Sequence, residues 1–178
     1  MSIDRDSISG AARRIAAHVR RTPAVDTGMP GIARPVTLKL ELLQHSGSFK
    51  ARGAFNTLLG ADVGPGGVAA ASGGNHGAAV AYAARELGHR ACIFVPEISS
   101  PAKVARIASY GAEIVQKGRS YSEALALCEA HIAATGAVSD YPCWNLEQHQ
   151  ADSEGGVDDE DLEDVQAGVE QEQGVDRP

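Results

Sequence analysis

The sequence predicts an α/β fold, a parallel sheet with flanking helices, and three observations predict it. Short apolar runs recur at 68–71, 92–95 and 114–115. Between them lie longer stretches whose apolar residues fall three and four apart, the helical period. Glycine and proline mark the joints between the two patterns. Helices of this length between strands imply right-handed crossovers, and such crossovers make the strands parallel.

The elements follow in order. Residues 7–20 read as a helix, with Ile8, Ala11, Ala12, Ile15 and Val19 on one side and arginines opposite. Thr22-Pro23 then stops it, because the residue before a proline is pushed out of the α region. Residues 36–40 alternate apolar and polar side chains and read as a strand running into a glycine-flanked turn. Residues 50–59 read as a helix, with Ser48 placed to cap it and the glycine-rich stretch 60–67 ending it. Residues 68–71 are a short buried strand. Residues 75–87 form a helix with Val80, Ala83, Ala84 and Leu87 as its apolar stripe and Gly88 as its stop.

Residues 92–95 are continuously apolar up to Pro96, the pattern of a strand covered on both faces. Ser100 precedes a helix with Pro101 at its first position, Val104, Ile107 and Ala108 facing inward, and Gly111 beyond its end. Ile114 and Val115 mark another strand. Tyr121, Ala124, Leu125, Cys128 and Ile132 line one side of the last helix, which Gly136 ends.

Charge divides the chain. Of its 178 residues, 1–139 hold 15 Lys and Arg against 10 Asp and Glu, whereas 140–178 hold 1 against 13. The net charge of −7 therefore belongs to the end of the chain. Residues 150–178 have no apolar periodicity, and such a segment buries too little apolar surface to offset the entropy of ordering it. An acidic, disordered tail is the expectation for 140–178. The mild positive balance before it forms no stripe with interleaved aromatics, so nucleic-acid binding is not expected.

Cys92, Cys128 and Cys143 are widely spaced and form no CxxC pair, which points away from a disulfide framework. No apolar run approaches the length of a membrane span, and the first ten residues lack the apolar core of a signal peptide. A cytoplasmic protein without a membrane partner is expected. The six histidines show no ligand spacing with Cys, Asp or Glu, so no metal site is expected.

Two turns carry the chemistry. The first is Ser46-Gly47-Ser48-Phe49-Lys50-Ala51-Arg52-Gly53-Ala54, in which Lys50 opens a helix between glycines. A lysine held at the positive end of a helix and partly shielded from water offers a neutral amine that attacks an aldehyde. The strand before it is expected to end at the sheet edge where ligands of α/β folds collect. The second turn is Ser72-Gly73-Gly74-Asn75-His76-Gly77, placed between a strand and a helix. Its main-chain N–H groups face outward at a helix N-terminus, an anion site, and Gly73 and Gly74 carry no side chain to keep an anion away. Asn75 offers an amide to a phenolate or carboxylate. His76 reads more readily as a first-turn helix residue than as a proton-transfer group. Gly64-Pro65-Gly66-Gly67 lacks the Lys-Ser/Thr of a phosphate loop and reads as a plain turn. A lysine able to form an imine, followed by an anion-holding turn, points to pyridoxal phosphate chemistry on amino acids.

These motifs, in this order, resemble the serine/threonine dehydratase branch of the fold-type II pyridoxal phosphate enzymes. Residues 35–59 carry the resemblance, together with Arg21-Thr22-Pro23, the turn at 72–77 and the stretch 88–115; it covers residues 10–139 or so. It implies the N-terminal lobe of such an enzyme, with a small domain near 48–139 and pyridoxal 5'-phosphate as cofactor. It implies that Lys50 holds the cofactor aldehyde covalently, Asn75 hydrogen-bonds its ring oxygen and Phe49 packs beside the ring. Ser72 and the backbone of Gly73, Gly74, Asn75 and His76 would bind the substrate carboxylate.

The Lys-x-Arg-Gly-Ala form favours dehydratases over the cysteine synthase and tryptophan synthase branches. Racemases of the family use a serine where Gly73 stands, which disfavours racemisation. The implied reaction removes water from threonine- or serine-type β-hydroxy amino acids, and hydrolysis of the resulting aminoacrylate yields a 2-oxo acid and ammonia. A small amino acid is the implied partner, within a homo-oligomer for full-length members. Family members are roughly twice this length. Their glycine-rich phosphate loop, the late Ser or Cys facing the pyridine nitrogen and the acidic cation ligands have no match here. The alternative reading is a truncated or frameshifted, catalytically inactive fragment of such an enzyme.

Overall fold

The computed structural model describes residues 4–140 apart from 29, 30 and 33. The chain divides into two units, Met1–Tyr141 and Pro142–Pro178, and the second lies outside the described residues. The expected acidic tail falls there, except for its first residue, Asp140, which is buried in the first unit.

The chain begins with α1 (Arg5–Ile15), closed at its start by a capping box between Asp4 and Ser7. Helical periodicity continues through Val19, yet α1 ends at Ile15, and residues 16–19 make tighter turns. Only Ile15 of its apolar side is buried; Ile8 is 59% exposed. Strands β1 (Ala24–Thr27) and β2 (Val36–Lys39) pair antiparallel as a separate two-stranded ribbon. The strand before Lys50 therefore does not run to the parallel sheet's edge as expected. Alternation over a few residues fixes which side chains share a face but does not choose the partner strand.

Two 3₁₀ turns, Glu41–Leu43 and His45–Gly47, lead into α2 (Lys50–Gly60). After α2 come β3 (Val68–Ala71), α3 (Asn75–Glu86), β4 (Ala91–Val95) and α4 (Pro101–Ala108). Then follow β5 (Glu113–Gln116), α5 (Tyr121–Thr135) and β6 (Val138–Ser139). The second sheet is wholly parallel in the order β5-β4-β3-β6, as the strand–helix alternation requires.

Its two faces split by the period of two. Val68, Ala70, Ile93 and Val95 face a core made with α2, α3 and α4, while Ala69, Ala71, Cys92 and Phe94 face α5. Helix α3 is buried on nearly every side, well beyond the expected stripe. Half of its residues are Gly or Ala, and short side chains let α2, α4 and the sheet all approach it closely. On α4, Ile107 is buried and Val104 partly so, while Ala108 faces solvent against expectation. Gly66 is a packing glycine, since a Cβ there would lie 2.7 Å from the Ala137 nitrogen and 2.9 Å from the Gly136 carbonyl carbon.

Burial pushes the free thiols of Cys92 and Cys128 up to about 11 and about 12, leaving them protonated and inert. Cys143 lies outside the described residues. Among the described residues no helix is long and apolar enough to cross a membrane.

Candidate active site

The Lys50 turn is held from three sides. Ser46 and Gly47 both take left-handed backbone, at φ 55° and 70°. Such geometry is costly for serine and easy for glycine. Arg106 of α4 donates from Nη2 to the Ser46 carbonyl, and a Cβ on Gly47 would sit 2.9 Å from that nitrogen. The Tyr82 hydroxyl of α3 and His45 Nδ1 share a hydrogen bond of 2.9 Å, and the two rings stack at 5.0 Å. Burial, aided by the Arg20 charge, lowers the His45 pKa and favours the neutral ring. From the third side, Arg52 Nε and Nη2 grip Glu41 at 2.9 and 2.8 Å, which ties α2 to the arm before it. The Arg52 hydrogen bonds, with one from Thr22, hold the Glu41 carboxyl below its usual range despite partial burial.

Ser48 does not cap α2. The helix starts at Lys50 as expected, but Phe49 is its cap residue and no side chain caps it. The hydroxyls of Ser46 and Ser48 are buried without a hydrogen-bond partner. Lys50 is half-buried at the first position of α2, its Nζ 5.3 Å from the centre of the Phe49 ring. That ring is 56% exposed, a large apolar face turned toward solvent.

The second turn leaves β3 at the C-terminal edge of the parallel sheet. Gly74 is the cap residue of α3 and again no side chain caps the helix; Asn75 is its first residue. The first-turn N–H groups of α2 and α3 are thus open to an anion, whereas α1 and α5 carry side-chain caps from Asp4 and Ser120. The glycines have different reasons. A Cβ on Gly74 meets nothing within 4 Å, so the space beside this residue is open. A Cβ on Gly73 would instead overlap Ser99 and press on Val95 at 3.1 Å, so Gly73 serves packing. The Gly74 N–H already donates to Ser72 Oγ at 3.3 Å, and an incoming carboxylate would have to displace that bond.

The two turns meet through one guanidinium. While Nη2 of Arg106 holds Ser46, its Nη1 donates to Asn75 Oδ1 at 3.4 Å, leaving the Asn75 amino group to donate elsewhere. Sequence reading misses Arg106 because it lies on the polar side of α4, where an arginine usually means only solvation. The His76 ring is turned inward. It is 8% exposed, and its Nε2 donates to the Asp140 carbonyl at 2.9 Å. Burial lowers its pKa, opposed by that hydrogen bond and helped by the Lys50 charge, so the ring is neutral. Asp140 itself has no signal in the sequence, since it opens a segment without apolar pattern. A cleft of about 260 Å³ lined by Pro65, Gly66, Arg90, Glu113, His131 and Thr135 holds none of these residues. Among the described residues no cluster of His, Cys, Asp and Glu could hold a metal.

The family model for "Pyridoxal-phosphate dependent enzyme" matches residues 15–153. The chain belongs to this family. Pyridoxal phosphate is the family's cofactor, as expected, and the match runs past Ser139. A phenylserine dehydratase of Ralstonia pickettii is 47% identical over 118 residues, covering 63% of this chain and 36% of that protein. A protein named putative threonine dehydratase from Sinorhizobium fredii is 40% identical over 139 residues, covering 74% and 41%. The L-threonine ammonia-lyase of Geobacter sulfurreducens is 36% identical over 139 residues, covering 76% and 35%.

The chain therefore spans about a third to two-fifths of these relatives' length. Among solved structures, a threonine deaminase from T.th. matches with a TM-score of 0.71 and 37% identity over 79% of this chain and 45% of that one. A pyridoxal 5'-phosphate-dependent aspartate racemase matches with 0.73 and 32% over 79% and 46%. Dehydratase and racemase backbones are thus both close, and side chains must separate the two chemistries.

The residues present fit the cofactor. An amine, two uncapped helix ends, two unpartnered serine hydroxyls and the open space at Gly74 lie on joined turns.

Proposed function

We propose that this chain supplies the lysine-bearing lobe of a pyridoxal phosphate-dependent dehydratase acting on β-hydroxy amino acids of the threonine and serine type. One observation carries the reading: Arg106 joins the Lys50 turn to Asn75, so the amine and the anion-holding turn form one site. Bound there, pyridoxal phosphate supplies an aldehyde and an electron-withdrawing ring.

The chain's own residues do the rest. Lys50 Nζ would hold the cofactor's aldehyde, and its freed amine would take the substrate Cα proton. Asn75 would donate its amide N–H to the ring oxygen, its orientation set by Arg106 at Oδ1. The Phe49 ring would pack beside the bound group and shield it from water. Ser72 Oγ and the main-chain N–H groups of Gly73, Gly74, Asn75 and His76 take the substrate carboxylate, with Ser72 giving up its bond to Gly74. Loss of the β-hydroxyl as water would leave an enamine, and its hydrolysis by a second water would give a 2-oxo acid and ammonia. The reading carries with it a cytoplasmic location and a homo-oligomeric full-length enzyme.

A second reading, that this polypeptide is silent by itself, is favoured by the exposed Phe49 ring. Incubation of the cofactor-loaded chain with L-threonine, L-serine and phenylserine separates the two. The proposal expects 2-oxo acid and ammonia in equal amounts from at least one of them. Inverted amino acid without oxo acid would overturn it, and cofactor capture without turnover would establish the second reading.

A further inference from the structure

We propose that Arg106 is a substrate-binding residue, a guanidinium that takes the substrate carboxylate together with the turn at 72–76. The inference rests on the reading of this site as one for amino acids and adds a residue to it.

Arg106 stands in the last turn of α4, where the negative end of the helix by itself accommodates an arginine. Its guanidinium does not stay there. It crosses to both site turns, with Nη2 on the Ser46 carbonyl and Nη1 on Asn75 Oδ1. Gly47 makes room for this path, because a Cβ there would lie 2.9 Å from Nη2. These bonds leave the other N–H donors of the guanidinium fork for a ligand. The Asn75 contact is 3.4 Å, longer than the usual span of about 2.7–3.2 Å, so it yields readily to a better acceptor.

Charge points the same way. Both partners of Arg106 are neutral oxygens, and among the described residues no Asp or Glu pairs with it. Arg52, two residues after Lys50, is instead taken up by Glu41. Residues 72–75 are uncharged, and Lys50 is committed to the aldehyde. A carboxylate at the turn would meet only neutral N–H and O–H groups unless Arg106 supplied the charge, and a charge-assisted pair is the stronger one. The Arg106 side chain is exposed, so a ligand reaches it from solvent. The turn that it grips also contains Ser46 and Ser48, 6% and 8% exposed, whose hydroxyls are without a partner. Polar atoms left over on both sides of the guanidinium fit a site that a polar ligand completes.

Titration of the cofactor-free chain with acetate at fixed ionic strength tests this, read from the main-chain amide signals of Gly73, Gly74 and Asn75. Saturable shifts are expected in the parent. Affinity should fall about ten- to a hundred-fold in Arg106→Gln and return in part in Arg106→Lys, which keeps the charge but loses the fork. Equal affinity in the parent and R106Q, or no saturable shift in the parent, would overturn the proposal. Should R106Q fail to fold, the parent's arginine side-chain signals decide. Those of Arg106 are expected to move with acetate in step with the Gly74 amide, and signals that stay in place would overturn the proposal.

In the cofactor-loaded enzyme, R106Q should raise KM for the amino acid by the same factor. A fall in kcat at unchanged KM would show that Arg106 acts only by orienting Asn75, and would overturn the proposal. Acetate held through Arg106 by a chain that captures no pyridoxal phosphate would refute the proposed function and leave this carboxylate site standing. Cofactor capture with acetate binding indifferent to Arg106 would do the reverse.

Discussion

Gly77→Ala is expected to disrupt the anion-holding turn and destabilise the lobe together. A Cβ at this position would overlap the Ser72 carbonyl oxygen and press on Ile107 Cδ1 and Ile93 Cγ2, each at 3.2 Å. The first is rigid main chain, and the others are fixed in the core. Overpacking of this kind costs about 1–3 kcal/mol, and relief requires the strand end to leave the helix it feeds. Gly74→Ala provides the contrast, because its Cβ enters open space and its φ of −117° lies outside the left-handed region. Its stability should stay within about 0.5 kcal/mol of the parent, while carboxylate binding at the turn is lost. Thermal melts with and without an amino acid or pyridoxal phosphate check both. Equal melting temperatures for G77A and G74A would remove the packing argument for Gly77.

Phe55→Ala carries the second large effect. Phe55 lies on α2 five residues after Lys50, is 1% exposed, and stacks on His18 at 5.2 Å and edge-on to Tyr82 at 6.0 Å. It is thus where the arm after α1, the Lys50 helix and α3 meet. Truncating a buried phenylalanine costs about 3–5 kcal/mol, a large part of the 5–15 kcal/mol or so that holds a typical domain folded. Denaturant unfolding should show a midpoint well below the parent, with loss of the site even where residual fold remains. A change below about 1 kcal/mol would show that α2 is held by the Arg52–Glu41 grip instead.

Which parts of this can be read from residues alone follows from what each pattern encodes. The strand at Val68–Ala71 is legible to the residue, since four small apolar residues between a glycine turn and Ser72 leave few alternatives. Both site turns are legible, because glycine and a short polar residue signal the geometry directly. The cap of α2 falls on Phe49, one position after Ser48, and the Ser48 hydroxyl is left buried without a partner. The β2 strand is legible as a strand but not in its sheet, since pairing depends on residues elsewhere in the chain. Arg106 and Asp140 are illegible for a shared reason. Each matters through what it meets after folding: Ser46 sixty residues before Arg106, and His76 sixty-four before Asp140.

Capture of pyridoxal phosphate by Lys50 is read from the visible absorbance of the purified chain, titrated with pyridoxal phosphate beside a Lys50→Ala control. A saturable imine band that the control lacks is expected. No band, or an equal band in the control, would contradict it.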